Sequence, residues 1–213
     1  MKYKAVIFDL DGVICHTDKY HYMAWKQLAD KLGIYFDEEI NNRLRGISRM
    51  ESLEIVLERY EGEPFKENEK KALAENKNKI YKNYLREMSP KDLSQEVSDT
   101  LKRLRGLGLK LAIGSSSKNA EFILKQIGLE GYFDAISDGN NITHSKPNPE
   151  VFIKAADYLN VAPKECLVVE DAQAGIEAAH RADMDSAGIG EAADYHLTTY
   201  KLSTFSDLIN IFI

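Results

Sequence analysis

Three apolar runs in this chain each stop abruptly at polar groups. Ala5–Phe8 runs into Asp9-Leu10-Asp11-Gly12, Leu109–Gly114 into Ser115–Asn119, and Cys166–Val169 into Glu170-Asp171. Short runs of this kind, rich in Val, Ile and Leu, read as strands buried on both faces of a parallel sheet. Phe133–Ser137 and Ser186–Ile189 predict two further short strands. Helical spacing lies between them: Lys118–Ile127 stopped near Gly128, Pro149–Leu159 with proline in its first turn, and Ala172–Ala182. The tail Phe205–Ile213 predicts a helix covering a sheet edge. This alternation predicts an α/β fold, a parallel sheet with helices on both faces.

Residues 15–90 break the rhythm. Tyr22, Trp25, Leu28, Ala29 and Leu32 recur at helical spacing before Gly33, and Leu53, Val56, Leu57 and Tyr60 repeat the pattern. Glu61–Lys79 is dense in charge of both signs and reads as a solvated helical face with a turn near Gly62-Glu63-Pro64. Ser89-Pro90 marks the return to the α/β rhythm. The expected division is a core domain of residues 1–14 and 91–213 and an all-helical cap domain of residues 15–90.

Composition narrows the class. At 213 residues and 44% apolar content the chain can bury a sizeable core. A net charge of −6 argues against a nucleic-acid partner, which needs clustered Lys and Arg. No apolar run reaches membrane-spanning length and the first segment is a strand, so no membrane partner and a cytoplasmic location are expected. Cys15 and Cys166 form no CxxC pair and read as small buried hydrophobes.

The strand ends carry the chemistry. In a parallel sheet the carboxyl ends share one edge, so Asp9, Asp11, Ser115, Lys146, Glu170 and Asp171 can converge there. Like charges this close resist joint ionisation without a cation or a cationic side chain. Carboxylates suit a hard, oxygen-liganded cation, and Ser115-Ser116-Ser117-Lys118-Asn119 offers hydroxyls and backbone N–H groups to phosphate oxygens. Lys146, in Ser145-Lys146-Pro147, adds positive charge. The set reads as a phosphoryl-transfer site.

Asp9-Leu10-Asp11-Gly12, Ser115, Lys146 and Glu170-Asp171 together resemble the four motifs of the haloacid-dehalogenase (HAD) superfamily. The resemblance implies an α/β core with a helical cap, Asp9 as a nucleophile that becomes an aspartyl-phosphate, and Asp11 as general acid/base. It also implies Mg²⁺ held by Asp9, the Asp11 carbonyl, Glu170 and Asp171. Thr17, Tyr20-His21, Ala24-Trp25, Leu44–Arg49, Ser52-Leu53, Lys77-Asn78 and Ser115–Asn119 are similar to the superfamily's sugar-phosphate mutases. Cys15-His16 and Met50 depart from that pattern, and Ser116 replaces an alanine. The likeness implies a monomer that interconverts β-glucose 1-phosphate and glucose 6-phosphate, with β-glucose 1,6-bisphosphate as primer and intermediate. Thr17, His21, Gly46, Arg49, Ser52, Lys77, Ser115, Ser116, Ser117, Lys118, Asn119 and Lys146 would bind the phosphosugar. Arg49 would clamp the far phosphate. The alternative is a phosphatase of the same fold acting on a sugar phosphate or phosphoglycolate. His21, Arg49 and Lys77 are the residues that separate the two readings.

Overall fold

The computed structural model describes residues 2–45 and 47–213. Strand β1 (Ala5–Phe8) lies between β2 (Lys110–Gly114) and β4 (Cys166–Glu170). With β3 (Ala135–Ser137), β5 (Asp185–Gly188) and β6 (Tyr200–Lys201) it forms a parallel sheet of order β3-β2-β1-β4-β5-β6. Alternation along each strand explains why both faces are apolar. Val6 and Phe8 join Leu111, Ile113, Leu167 and Val169 in one cluster, whereas Ala5 and Ile7 join Ala112, Cys166 and Val168 in another. Each such fully buried Phe, Ile or Val contributes about 1.5–3 kcal/mol relative to exposure.

The first face is covered by α5 (Gln95–Gly106) and α6 (Ala120–Gln126), the second by α7 (Glu150–Leu159) and α8 (Gln173–Arg181). Register fixes the active edge. Phe8 lies opposite Ile113 and Val169, so Asp9, Gly114 and Glu170 end three neighbouring strands at one level.

The tail differs from expectation. Phe205–Ile211 is a 3₁₀ segment packed on α5, and the sheet edge beside it is β6. Phe205, Leu208 and Ile209 turn inward, and Ser206 N–H donates to Glu96 of α5 at 2.9 Å. Strand β6 has no apolar run to announce it.

Between β1 and β2 stand α1 (Asp18–Lys31), α2 (Glu38–Asn42), α3 (Arg49–Leu57) and α4 (Glu67–Leu85). Gly33, at φ +71°, turns the chain after α1, and a Ser48–Glu51 capping box starts α3. Trp25, Leu28, Phe36, Ile40, Leu53, Val56 and Ala74 form a third apolar cluster. Tyr20, Ala24, Tyr81 and Leu85 reach instead into the first face's cluster, so α1 and α4 bind the inserted helices to the core. The charged stretch is solvated only in part. Ala74, Lys77, Asn78, Tyr81 and Leu85 share the buried face of α4.

Candidate active site

Asp9 follows β1 directly, and its N–H donates to the Val169 carbonyl of β4 at 2.9 Å. Its Oδ2 accepts from Asp11 N–H at 2.8 Å, and its Oδ1 accepts from Lys146 Nζ at 2.5 Å. Lys146 also donates to Glu170 Oε1 at 2.6 Å. The other Glu170 oxygen, Oε2, accepts from the N–H groups of Asp171 and Ala172, both at 2.9 Å. Glu170 is therefore held by its own loop and in turn anchors Lys146. Gly175 leaves the room: a Cβ there would stand 1.9 Å from the Glu170 carboxyl. Gly12 does the same for Asp171, whose Oδ2 would lie 2.1 Å from a Cβ.

Burial dominates the electrostatics of this edge. It pushes Asp9 up to about 7, with Lys146 opposing and Glu170 adding to the shift. Asp171 is pushed up to about 8 by burial and by Glu170, Asp9 and Asp11, with Arg45 of the inserted helices opposing. Lys146 moves upward, because Asp9 and Glu170 outweigh its own burial.

Asp11 faces the inserted helices. Thr17 N–H donates to Asp11 Oδ1 at 2.9 Å and Thr17 Oγ1 to Oδ2 at 2.5 Å. Thr17 Oγ1 lies 2.8 Å from the Tyr81 hydroxyl, and His21 Nε2 lies 3.3 Å from Asp11 Oδ2. His21 Nδ1 is in turn 2.9 Å from Lys77 Nζ. Burial would raise the Asp11 carboxyl, but His21 and the two Thr17 donors hold it below the usual carboxylate range. Burial and Lys77 push His21 down, and burial and Arg49 push Lys77 well down. A buried site does not support two adjacent cations at His21 and Lys77. The paired Thr17 donors are then the constant support of an ionised Asp11.

Beyond β2, Ser117 N–H donates to Ser115 Oγ at 3.2 Å and Asn119 N–H to Ser117 Oγ at 3.1 Å. The loop is backed by Asp138–Asn141: Gly139 N–H donates to the Ser117 carbonyl at 3.1 Å and Asn140 Nδ2 to the Lys118 carbonyl at 3.0 Å. Asn119 is buried, Ser116 and Ser117 are half-buried, and Lys118 is exposed. Arg49, at the start of α3, pairs with Glu75 of α4 at 2.6 Å, and Ser52 is buried one turn on. Gly46 lies outside the described residues.

The structure thus brings Asp9, Asp11, Lys146, Glu170 and Asp171 together and joins Thr17, His21 and Lys77 to them. Tyr81 and Glu75 carry no such expectation, and Arg45, within the Leu44–Arg49 run, had no role assigned. Tyr81 had a signal, because it falls four residues after Lys77 and seven after Ala74, on one helical face.

A family model described as haloacid dehalogenase-like hydrolase matches residues 3–183. The chain belongs to this family. Among its haloacid dehalogenase-like relatives, the β-phosphoglucomutase of Bacillus subtilis (strain 168) is 42% identical over 189 residues, 88% of this chain and 84% of that protein. The phosphorylated carbohydrates phosphatase of Thermotoga maritima is 32% identical over 184 residues, 85% of this chain and 82% of that protein. The crystal structure of β-phosphoglucomutase from Clostridium difficile matches with a TM-score of 0.90 and 39% identity, covering 97% of this chain and 93% of that chain.

The donor set of this haloacid dehalogenase-like chain fits a hard divalent cation. Asp9, Asp11, Glu170 and Asp171 share one buried edge, and the buried amine among them is Lys146. Burial first, and the neighbouring carboxylates second, raise Asp9 and Asp171, and a bound cation would favour their ionised forms. Among the described residues, no three His, Cys, Asp or Glu side chains already converge as a ready-made metal cluster.

Proposed function

We propose that the chain is a mutase that interconverts β-glucose 1-phosphate and glucose 6-phosphate through an aspartyl-phosphate on Asp9 and β-glucose 1,6-bisphosphate. Residues 15–90 serve as a cap domain over the core of residues 1–14 and 91–213. The supporting observation is the chain of contacts Lys77–His21–Asp11, which links α4 of the cap to the carboxylate that handles the proton. A phosphatase needs only water at this position. Cap residues wired to the acid/base suit a second, sugar-borne nucleophile. The 42% identity to a β-phosphoglucomutase favours the same reading.

Asp9 attacks one phosphorus of the bound bisphosphate, and the sugar monophosphate is the leaving group. The bond from its carboxylate oxygen to phosphorus forms as the bond from phosphorus to the sugar oxygen breaks. Lys146 and the Asp11 N–H orient that carboxylate before attack. Asp11 protonates the departing sugar oxygen and takes the proton from the hydroxyl that attacks next. Its ionised state, held by Thr17 and His21, is the form that receives this proton. Ser115, Ser116, Ser117, Lys118, Asn119 and Arg49 hold the phosphoryl groups, and Arg49 provides the fork suited to the far one. Asp9, Asp171 and the Asp11 carbonyl would hold Mg²⁺, with Glu170 completing the set. The ion supplies charge neutralisation on the phosphoryl oxygens.

The test is turnover of β-glucose 1-phosphate primed with β-glucose 1,6-bisphosphate. The expected product is glucose 6-phosphate, followed by a coupled dehydrogenase assay. Release of inorganic phosphate without glucose 6-phosphate would establish the phosphatase instead.

A further inference from the structure

Asn78 follows Lys77 on α4 and meets a different part of the core. Its Oδ1 accepts from Asn119 Nδ2 at 3.0 Å, and both side chains are buried. Asn119 closes the Ser115–Asn119 loop, so this bond runs from a cap helix to the phosphate loop. Asp138–Asn141 backs that loop through the Ser117 and Lys118 carbonyls. The Asn119 side chain is held from the cap. Its Oδ1, buried without a partner among the described residues, accepts only from a donor such as a sugar hydroxyl, while Nδ2 carries a second hydrogen for a phosphate oxygen. A buried amide left with unused hydrogen-bonding capacity calls for a ligand or an explanation.

We propose that Asn78 is a positioning residue: it transmits the placement of α4 to the Asn119 amide, so that the far end of the phosphosugar is gripped only when the cap helix is seated. This rests on the mutase reading for the identity of the ligand. Consecutive α4 residues then serve opposite ends of the cleft. Lys77 reaches the Asp11 end and Asn78 the loop end. One helix movement sets both. A hexose phosphate spans the two, whereas a small acyl phosphate needs only the Asp9 end.

A double-mutant cycle read with two substrates tests this. Asn78→Ala, Asn119→Ala and the double variant are assayed with primed β-glucose 1-phosphate and with acetyl phosphate. Alanine is the best helix former, so α4 is retained. Asn78→Ala is expected to raise KM for the sugar phosphate about tenfold, the size of one buried hydrogen bond. Acetyl phosphate hydrolysis should stay within about twofold, and the double variant should be no worse than Asn119→Ala alone. Additive losses, or equal losses on both substrates, overturn the proposal. If the native chain turns over no hexose phosphate, the mutase reading fails on its own. Hydrogen exchange then decides the positioning role. Asn78→Ala should speed exchange in residues 115–119 about fivefold or more while β1 and β2 stay protected. Unchanged exchange in that loop would sink it.

Discussion

Two lysines are buried on opposite sides of the same cleft, and their surroundings are opposite in kind. Lys146, 1% exposed, sits between Asp9 and Glu170 with its charge matched twice over. Lys77, 2% exposed, sits 4.7 Å from the centre of the Trp25 ring and 4.6 Å from that of Tyr81, with His21 as its hydrogen-bond partner. Among the described residues no carboxylate forms an ion pair with it. On the core side the amine is paired before substrate arrives. The cap side carries an amine whose positive charge is disfavoured until an anion comes. A buried cation is costly when unpaired, and that cost becomes binding energy when a phosphate supplies the pair.

Replacing each lysine by methionine should therefore move stability in opposite directions. Lys146→Met leaves Asp9 and Glu170 without their cation and should cost about 3–5 kcal/mol in urea denaturation. Phosphoryl transfer should fall at least about 100-fold. Unchanged stability would break the comparison on the core side. Lys77→Met should instead raise the urea midpoint at pH 7, because burial makes the unpaired amine's charge a folding penalty. The sign follows from proton binding. Between the lowered folded value and the ordinary 10.5, the unfolded chain holds the proton more tightly, so the native chain gains stability as pH rises through that window. The advantage of Lys77→Met should shrink accordingly toward alkaline pH, while its sugar-phosphate turnover falls about tenfold or more at neutral pH. A destabilised Lys77→Met would show that the amine is satisfied in the free protein. The smallest effect sharpens the comparison most. Phosphosugar binding within that pH window should take up a fraction of one proton, read by calorimetry in buffers of different ionisation enthalpy. Lys77→Met should reduce that uptake, and unchanged proton uptake in the variant would break the assignment.

The core side was the legible one. Asp9, Ser115 and Glu170 each follow an apolar run, and parallel register converts three distant run-ends into one edge. Lys146 was visible by its motif, though its double pairing was not. The cap side was harder because its chemistry depends on which face of a charged helix turns inward. Glu61–Lys79 reads as solvated on charge density alone, yet Ala74, Lys77, Asn78, Tyr81 and Leu85 recur at three- and four-residue steps and are buried. That spacing was the available signal. Nothing local marks Asn78 as the partner of Asn119, since the pair is 41 positions apart and exists only across the cleft. Strand β6 escaped for a different reason: Tyr200–Lys201 is two residues long and pairs only at an edge. The tail adopts a 3₁₀ form and anchors on α5.

The central place of β1 also bears on how the protein is made. Asp9, the proposed nucleophile, leaves the ribosome some 160 residues before β4, which supplies Glu170 and borders β1 on its second side. Until then a nascent chain has Asp9 beside a vacant strand position, without the Val169 carbonyl or the Glu170 anchor for Lys146. Non-local pairing of this kind forms late because the loop must close first. Phosphoryl-transfer capacity therefore arrives only once β4 has emerged and paired with β1, and chains terminated before it lack that capacity.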